Sequence, residues 1–367
     1  MNRTKLSRFA AIPAAIAMSV VMAACSSSNE SGGDGEESKG ADSKLSGSLS
    51  GAGSSAQDAA MQAMIAGFTN ANSGVSITYD PVGSGGGREQ FVGGGTDFGG
   101  TDAYLDEEEL AGAKKRCGDV IEIPGYISPI AVAFNLEGID SLNLKPATIA
   151  QIFDQKIKKW NDEAIAADNP DVELPDLAIT PVNRSDESGT TENFVEYLAA
   201  AAPDDWKHEV TGDWPVKGGE AGQGNQGVKQ AVDNGKGAIG YLDASQVGEL
   251  GTAKVGVGGE FVEYSPEAAA KVVEISERAP GRGTGGFAYD LQRDTTESGT
   301  YPIVLVSYNV ACTTYDSKEK ADLMKAFLSY VVSEEGQGEA AEAAGSAPIS
   351  ASLRSEIQPV LDGISAK

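Results

Sequence analysis

The chain is poor in the residues that most often carry chemistry. Among its 367 residues there is one histidine, His208, and three cysteines, Cys25, Cys117 and Cys312. A metal centre has almost no nitrogen or thiolate ligands to draw on, and general acid–base catalysis by histidine has a single candidate, in a tryptophan-flanked loop. No metal and no cofactor are expected. Positive charge is scarce as well: 28 Lys and Arg face 54 Asp and Glu, for a net charge of −26. Such acidity argues against nucleic acid and anionic lipid surfaces as partners and favours solubility by self-repulsion. Any bound anion must be captured against the global field, by local donors. Long apolar runs are missing except at the start, where Arg3, Lys5 and Arg8 precede an apolar stretch from Phe9 to Ala24. That stretch is shorter than the roughly 20 residues a membrane span needs, and Pro13 interrupts it. It reads as a secretory signal peptide, residues 1 to 24.

The residues after the signal set the address. Cys25 directly after Ala23 and Ala24 resembles a bacterial lipobox, with Met22 where that motif usually has Leu, so lipidation of Cys25 is expected. Residues 25 to 46 are Ser, Gly and acid with almost nothing apolar, a flexible tether that cannot bury a core. Loss of Arg3, Lys5 and Arg8 with the signal takes the net charge to −29. In an oxidising compartment Cys117 and Cys312 are most simply a disulfide, two buried free thiols being the alternative.

The remainder alternates strands with helices, which implies an α/β architecture. Three turns share one layout of strand, Gly/Ser-rich loop and helix start: Gly51 to Ala56, Gly83 to Gly87, and Arg184 to Thr190. The first turn of a helix has backbone N–H groups without partners and the positive end of its dipole, so each such turn is a potential anion site. Gly189 lets a ligand approach the backbone closely. Arg184 adds a planar fork of donors suited to a tetrahedral oxyanion, and Asp186 is placed to hold it. The alternative for this loop is an ordinary Ser-capped helix with a surface Arg–Asp pair. Neither a dinucleotide fingerprint nor a phosphate-loop lysine motif is present. Asp97 and Asp102 bracket a glycine-dense segment, and Asp106 to Glu109 start a helix as a capping box would. Apolar segments at Val120 to Ile123, Pro129 to Phe134 and Tyr301 to Ala311 read as buried strands, and Trp160, Trp206 and Trp214 as packing residues.

Gly51-Ala52-Gly53-Ser54-Ser55, Gly83-Ser84-Gly85-Gly86, Asp97 to Asp102 and Arg184 to Thr190, in this order and spacing, resemble the PstS family, the phosphate-binding proteins of bacterial ABC importers. Lys156 to Asp162, Gly237 to Tyr241 and Ser333 to Gln337 match that family too, and the resemblance covers residues 47 to 367. It implies a two-lobed fold of the type II periplasmic-binding-protein kind, with strands crossing twice between the lobes and one dehydrated phosphate in the cleft. Residues 47–128 with 301–367 would form lobe I and residues 129–300 lobe II. By motif, Ser54, Ser55 and the N–H of Ala56 would serve the ligand from the first loop and Ser84 from the second. Arg184, Ser188, Gly189 and Thr190 would donate from the far lobe, Asp102 would contact the ligand directly, and Asp186 would orient Arg184. Two departures stand out: Ala56 replaces a frequent aromatic, and Glu187 replaces a common glycine, so Glu187 must point away from the ligand or weaken binding.

The resemblance implies a lipid-anchored, monomeric receptor outside the cytoplasmic membrane that hands inorganic phosphate to a permease. Asp102 gives that reading a physical test, because an ionised carboxylate only accepts hydrogen bonds. It takes the proton of hydrogen phosphate and repels sulfate, a mismatch costing at least about 1 to 3 kcal/mol. Two other readings compete. A receptor for another oxyanion disagrees with Asp102. A secreted phosphatase could use a serine nucleophile, but neither a general base nor a Lewis acid is evident.

Overall fold

The computed structural model describes residues 45–367. The expected signal peptide, the lipidated Cys25 and nearly all of the tether lie outside them. The first elements are β1 (Ser46–Gly53), α1 (Asp58–Ala71), β2 (Gly74–Asp80), α2 (Ser84–Gly93), β3 (Phe98–Thr101) and α3 (Glu107–Cys117). Then come β4 (Val120–Phe134), β5 (Ser141–Leu144), α4 (Pro146–Phe153), α5 (Glu163–Asp168), β6 (Thr180–Arg184) and α6 (Gly189–Ala201). The middle of the chain continues with β7 (Glu220–Gly222), α7 (Gly224–Asn234), β8 (Ala238–Asp243), β9 (Gly251–Val257), β10 (Glu260–Val262) and α8 (Pro266–Ile275). The last part holds β11 (Glu277–Arg278), β12 (Tyr289–Asp290), β13 (Val304–Cys312), β14 (Thr314–Tyr315), α9 (Lys318–Val331), α10 (Glu334–Ala344), α11 (Ala351–Asp362) and β15 (Ser365–Ala366).

The α/β fold has two lobes, each built on its own parallel strands. In one, β1 pairs in parallel with β2 and β3; in the other, β6 pairs in parallel with β8 and β7. Between them run β4 and β13, antiparallel to each other and to the strands they meet. Both are buried along their whole length, as strands covered on both faces must be. The switch from one lobe to the other is sharp on β4: Pro129 still pairs with Val304 of β13, whereas Ile130 onward pairs with β8. Val120 to Phe134 is one strand rather than two because Pro124 and Gly125 are absorbed as an irregularity. Ser307 faces Tyr126 and Tyr308 faces Pro124, leaving Gly125 as the extra residue of a bulge. A Cβ there would lie 2.1 Å from Asn309 Nδ2, so any larger residue would displace the end of the Asn309 side chain.

Helix starts obey local chemistry. Asp106 accepts from the N–H of Glu109 at 2.7 Å while Glu109 accepts from the N–H of Asp106 at 2.9 Å, a complete capping box for α3. Ser188, Ser265, Ser317, Ser333 and Ser350 cap α6, α8, α9, α10 and α11 through their hydroxyls. The apolar stripe of α9, from Ala321 through Met324, Phe327 and Leu328 to Val331, is buried, and Phe327 packs on Phe68 and Phe98. In the second lobe Phe153, Phe194, Trp214 and Tyr241 form an aromatic cluster beneath the Arg184 loop, and Trp160 is buried against Phe134. Cys117, ending α3, is bonded to Cys312, ending β13. Residues 277–290, although they come after the second lobe's strands in sequence, reach back to the first lobe. Arg282 pairs with the buried Glu122 of β4, and the N–H of Phe287 donates to the Glu122 carbonyl at 2.8 Å.

Candidate anion site between the lobes

The predicted Gly/Ser turns meet at the carboxyl ends of the parallel strands, where open α/β sheets bind ligands. Close backbone approach makes this possible. The chain leaves β1 at Gly53, with φ +149°, and there a Cβ would lie 1.8 Å from the Gly100 carbonyl oxygen. A Cβ on Gly87 would lie 2.4 Å from Gly53 Cα. The three glycines bring β1, β3 and α2 together, and with them Ser54, Ser84 and Asp102, all buried.

Each expected residue has a definite place. Ser54 accepts from the N–H of Ala56 at 3.0 Å, shaping the turn ahead of α1. Ser84 begins α2 and accepts from the N–H of Asp102 at 3.1 Å. Asp102 is fully enclosed: Ser307 donates to one carboxylate oxygen and Thr190 Oγ1 lies 3.5 Å from the other. Burial pushes its carboxyl above the ordinary range, against the pull of Ser307, Ser54, Arg184 and Ser84. From the opposite lobe, Ser188 caps α6 and leaves the N–H groups of Gly189 and Thr190 in the first turn, without intrahelical partners. The fit is tight, since a Cβ on Gly189 would lie 2.6 Å from Ser84 Oγ.

Arg184, 3 % exposed, donates through Nε to Asp186 Oδ1 at 2.9 Å and through Nη2 to Oδ2. Its Nη1 reaches Thr190 Oγ1 at 3.4 Å. Burial raises the Asp186 carboxyl, but the hydrogen bonds and charge of Arg184 and the N–H of Gly224 outweigh it, so Asp186 titrates below the usual carboxylate range. Tyr241 closes the cluster underneath, accepting from the Arg184 N–H at 3.2 Å and bonded to Thr191 Oγ1 at 2.7 Å. A 240 Å³ cavity opens beside Asp102, flanked by Tyr104, Glu192, Glu196 and Arg293. Glu187 points across the cleft to Arg88, at 2.7 Å.

Three residues that sequence reasoning missed belong to this cluster. Asn225, fully buried in the first turn of α7, contacts Ser55 Oγ with its backbone N–H at 3.1 Å and with Nδ2 at 3.2 Å. The same Nδ2 lies 3.2 Å from Thr190 Oγ1, so one amide braces both lobes' hydroxyls. Its signal was the turn Gly222-Gln223-Gly224, a fourth strand-to-helix turn of the same layout. Ser307 on β13 holds Asp102, and Asn193 of α6 donates to the Asp102 carbonyl at 2.7 Å; neither lies in a motif. Asp97 stays outside: it accepts from the Ser50 N–H at 2.9 Å and pairs with Lys320. His208 is also elsewhere, bonded to Asp154 at 2.8 Å. Among the described residues no cluster of His, Cys, Asp and Glu is arranged to hold a metal, and no helix is long and apolar enough to cross a membrane.

Comparison with known proteins agrees with this geometry. Residues 38–335 match the PBP superfamily domain. The phosphate-binding protein PstS3 of Mycobacterium bovis is 36 % identical over 344 residues, 89 % of this chain and 91 % of its own length. PstS 3 of Mycobacterium leprae is 33 % identical over 98 % of this chain and 100 % of its own length. Among solved structures, a high affinity periplasmic phosphate-binding protein, PfluDING, superposes with a TM-score of 0.70 at 20 % identity, covering 85 % of this chain and 93 % of its own. A substrate-binding protein from Clostridium perfringens, with bound phosphate, gives a TM-score of 0.59 at 22 % identity over 81 % of this chain and 98 % of its own. With the fold and the four turns, these similarities place the chain in the PBP superfamily and, within it, in the PstS family of phosphate-binding proteins.

Proposed function

We propose that this protein captures one dehydrated inorganic phosphate between its lobes and delivers it to the membrane subunits of an ABC-type phosphate importer. The observation that carries the reading is Asp102: a buried carboxylate, able only to accept, set among hydroxyls, the α6 N-terminus and the guanidinium of Arg184. Ser55, Ser84, Ser188, the N–H groups of Gly189 and Thr190, and Arg184 supply the donors, while the N–H of Ala56, expected among them, is taken by Ser54, which shapes the first turn. Asp102 accepts the ligand's proton. Asp186 orients Arg184, and Asn225 braces Ser55 against Thr190. The relatives this chain matches are named phosphate-binding proteins, which supports a receptor over a phosphatase. Lobe I comprises residues 47–128 and 301–367, and lobe II residues 129–300, with residues 277–290 folded back onto lobe I. Lipidation at Cys25 would tether the monomer outside the cytoplasmic membrane. Cys25→Ala should then release it, and persistent membrane attachment would count against the anchor.

The test of the central claim is calorimetric titration of the full chain, stripped of ligand, with phosphate and then sulfate. One-to-one phosphate binding without sulfate heat is expected. Equal binding of both would leave an oxyanion receptor and remove the proton-reading role of Asp102; binding of neither would overturn the function.

A further inference from the structure

The Arg184 loop carries two acidic side chains against the opposite lobe: Asp186, which lies by Gly83 and is spent on Arg184, and Glu187, whose partner is a residue of that lobe. Its carboxylate lies 2.7 Å from Arg88 Nη2 and rests against the first turn of α2, where a Cβ on Gly85 would fall 2.3 Å from Glu187 Cδ. It therefore receives both a guanidinium and the positive end of a helix. Arg88 is itself held in place, with Nε 2.8 Å from Glu109 of α3 and Nη1 3.1 Å from Thr101 Oγ1, and its side chain is only 8 % exposed. Behind Glu187, the next N–H, that of Ser188, donates to the Gly212 carbonyl at 3.0 Å. Arg88, Glu109 and Thr101 belong to one lobe, Glu187 to the other. The contact adjoins Ser84 on one side and Ser188 on the other, at the rim of the anion site.

We propose that Glu187 and Arg88 form an electrostatic latch between the lobes, made only when the cleft is closed, that slows release of the bound anion without touching it. The inference rests on the phosphate-binding reading. Opening the lobes separates the pair and returns Glu187, half exposed even when paired, to water, so the latch acts on the closed form alone. Arg88 keeps Glu109 in either state, which limits the cost of opening and leaves the site reversible. A third acid, Glu192 of α6, stands 4.0 Å from Arg88. Burial and then the nearby charges of Glu196, Glu109 and Glu187, against the pull of Arg88, bring its carboxyl to about 7. Near neutral pH it is partly protonated and leaves the guanidinium to its two closer acids.

Stopped-flow release of inorganic phosphate from wild type, Glu187→Gln and Glu187→Gly tests this. Dissociation should accelerate about 3- to 10-fold in both variants with association little changed, as expected when a closure contact is lost. Salt should speed release in wild type and have less effect in Glu187→Gln. The melting temperature of the phosphate-free protein should stay within about 1 °C, because a surface loop charge contributes little to stability. Release at the wild-type rate, with wild-type salt dependence, overturns the latch while leaving phosphate binding intact. Should wild type bind no phosphate, the parent reading fails. The latch, which acts only on the closed, ligand-bound form, falls with it.

Discussion

Arg184 and Arg88 are both buried at the cleft and both paired with acids, yet they are organised in opposite ways. Arg184 takes its carboxylate from two residues along the same loop, and that carboxylate is in turn fixed by the Gly224 N–H at 3.0 Å. The pair is complete within one lobe, so the guanidinium is aimed before any ligand arrives, at no further ordering cost. Arg88 also has a partner in its own lobe, Glu109, but takes Glu187 from across the gap. A short-range pair prepares a surface, whereas a long-range pair reports that two surfaces have met. On the proposed function and the proposed latch, the same charge type serves recognition in one place and closure in the other.

The contrast can be broken most forcefully at Arg184. Arg184→Met should weaken phosphate binding by about 100-fold or more, since it strips a buried anion of its charged donor and leaves Asp186 unpaired; calorimetry showing wild-type affinity would erase the distinction between the two arginines. Next in size, Asp102→Asn should narrow the preference for phosphate over sulfate by about 10-fold or more, because an amide can donate where the carboxylate cannot. Competition titration measures it, and unchanged selectivity removes Asp102 from its role. Asp186→Asn should cost about 10-fold in affinity, as Arg184 loses its alignment and keeps its charge. A loss confined to the release rate would mean that Asp186 acts in closure and not in aiming. The smallest effect belongs to Glu192. Its carboxyl is raised in the folded protein, so the stability tied to its neutral form is fully present below the unfolded value and is lost as pH rises through about 7. Glu192→Gln should match wild type near pH 4 and melt about 1–3 °C higher at pH 8. Equal melting at both pH values would show that the acids around Arg88 are not crowded.

The turns that meet at the cleft were legible in the sequence, because each is written in one contiguous stretch. Strand, Gly/Ser loop and helix start stand side by side in Gly51 to Ala56, Gly83 to Gly87 and Arg184 to Thr190, and their chemistry derives from helix ends alone. The closure half was not legible. Arg88 and Glu187 are 99 residues apart, and only the folded lobes bring them together; from the chain alone Glu187 was an odd replacement of a glycine. Ser307 escaped for a related reason, since a single buried polar residue shows no periodicity and acquires a role only through what packs on it, whereas Asn225 escaped because its Gly222-Gln223-Gly224 turn was not grouped with the other three. The expected strands Val120 to Ile123 and Pro129 to Phe134 erred in the other direction, around Pro124 and Gly125. They punctuate the sequence like a turn, but a bulge against β13 absorbs them, and two expected strands become one.

The glycine contact of Gly53, Gly87 and Gly100 also bears on how this protein can change over generations. Every single-base missense change in a glycine codon adds a side chain; at Gly53 and Gly87 it would push β1, β3 and α2 apart, and at Gly100 it would displace the buried ends of Gln57 and Tyr79. No near neighbour in codon space is mild there, in contrast to the rim, where Glu187 can be exchanged without disturbing the floor. On the proposed latch, selection can tune how long the ligand is held by many small steps, while the glycine floor under the proposed site can be inherited or lost but scarcely adjusted.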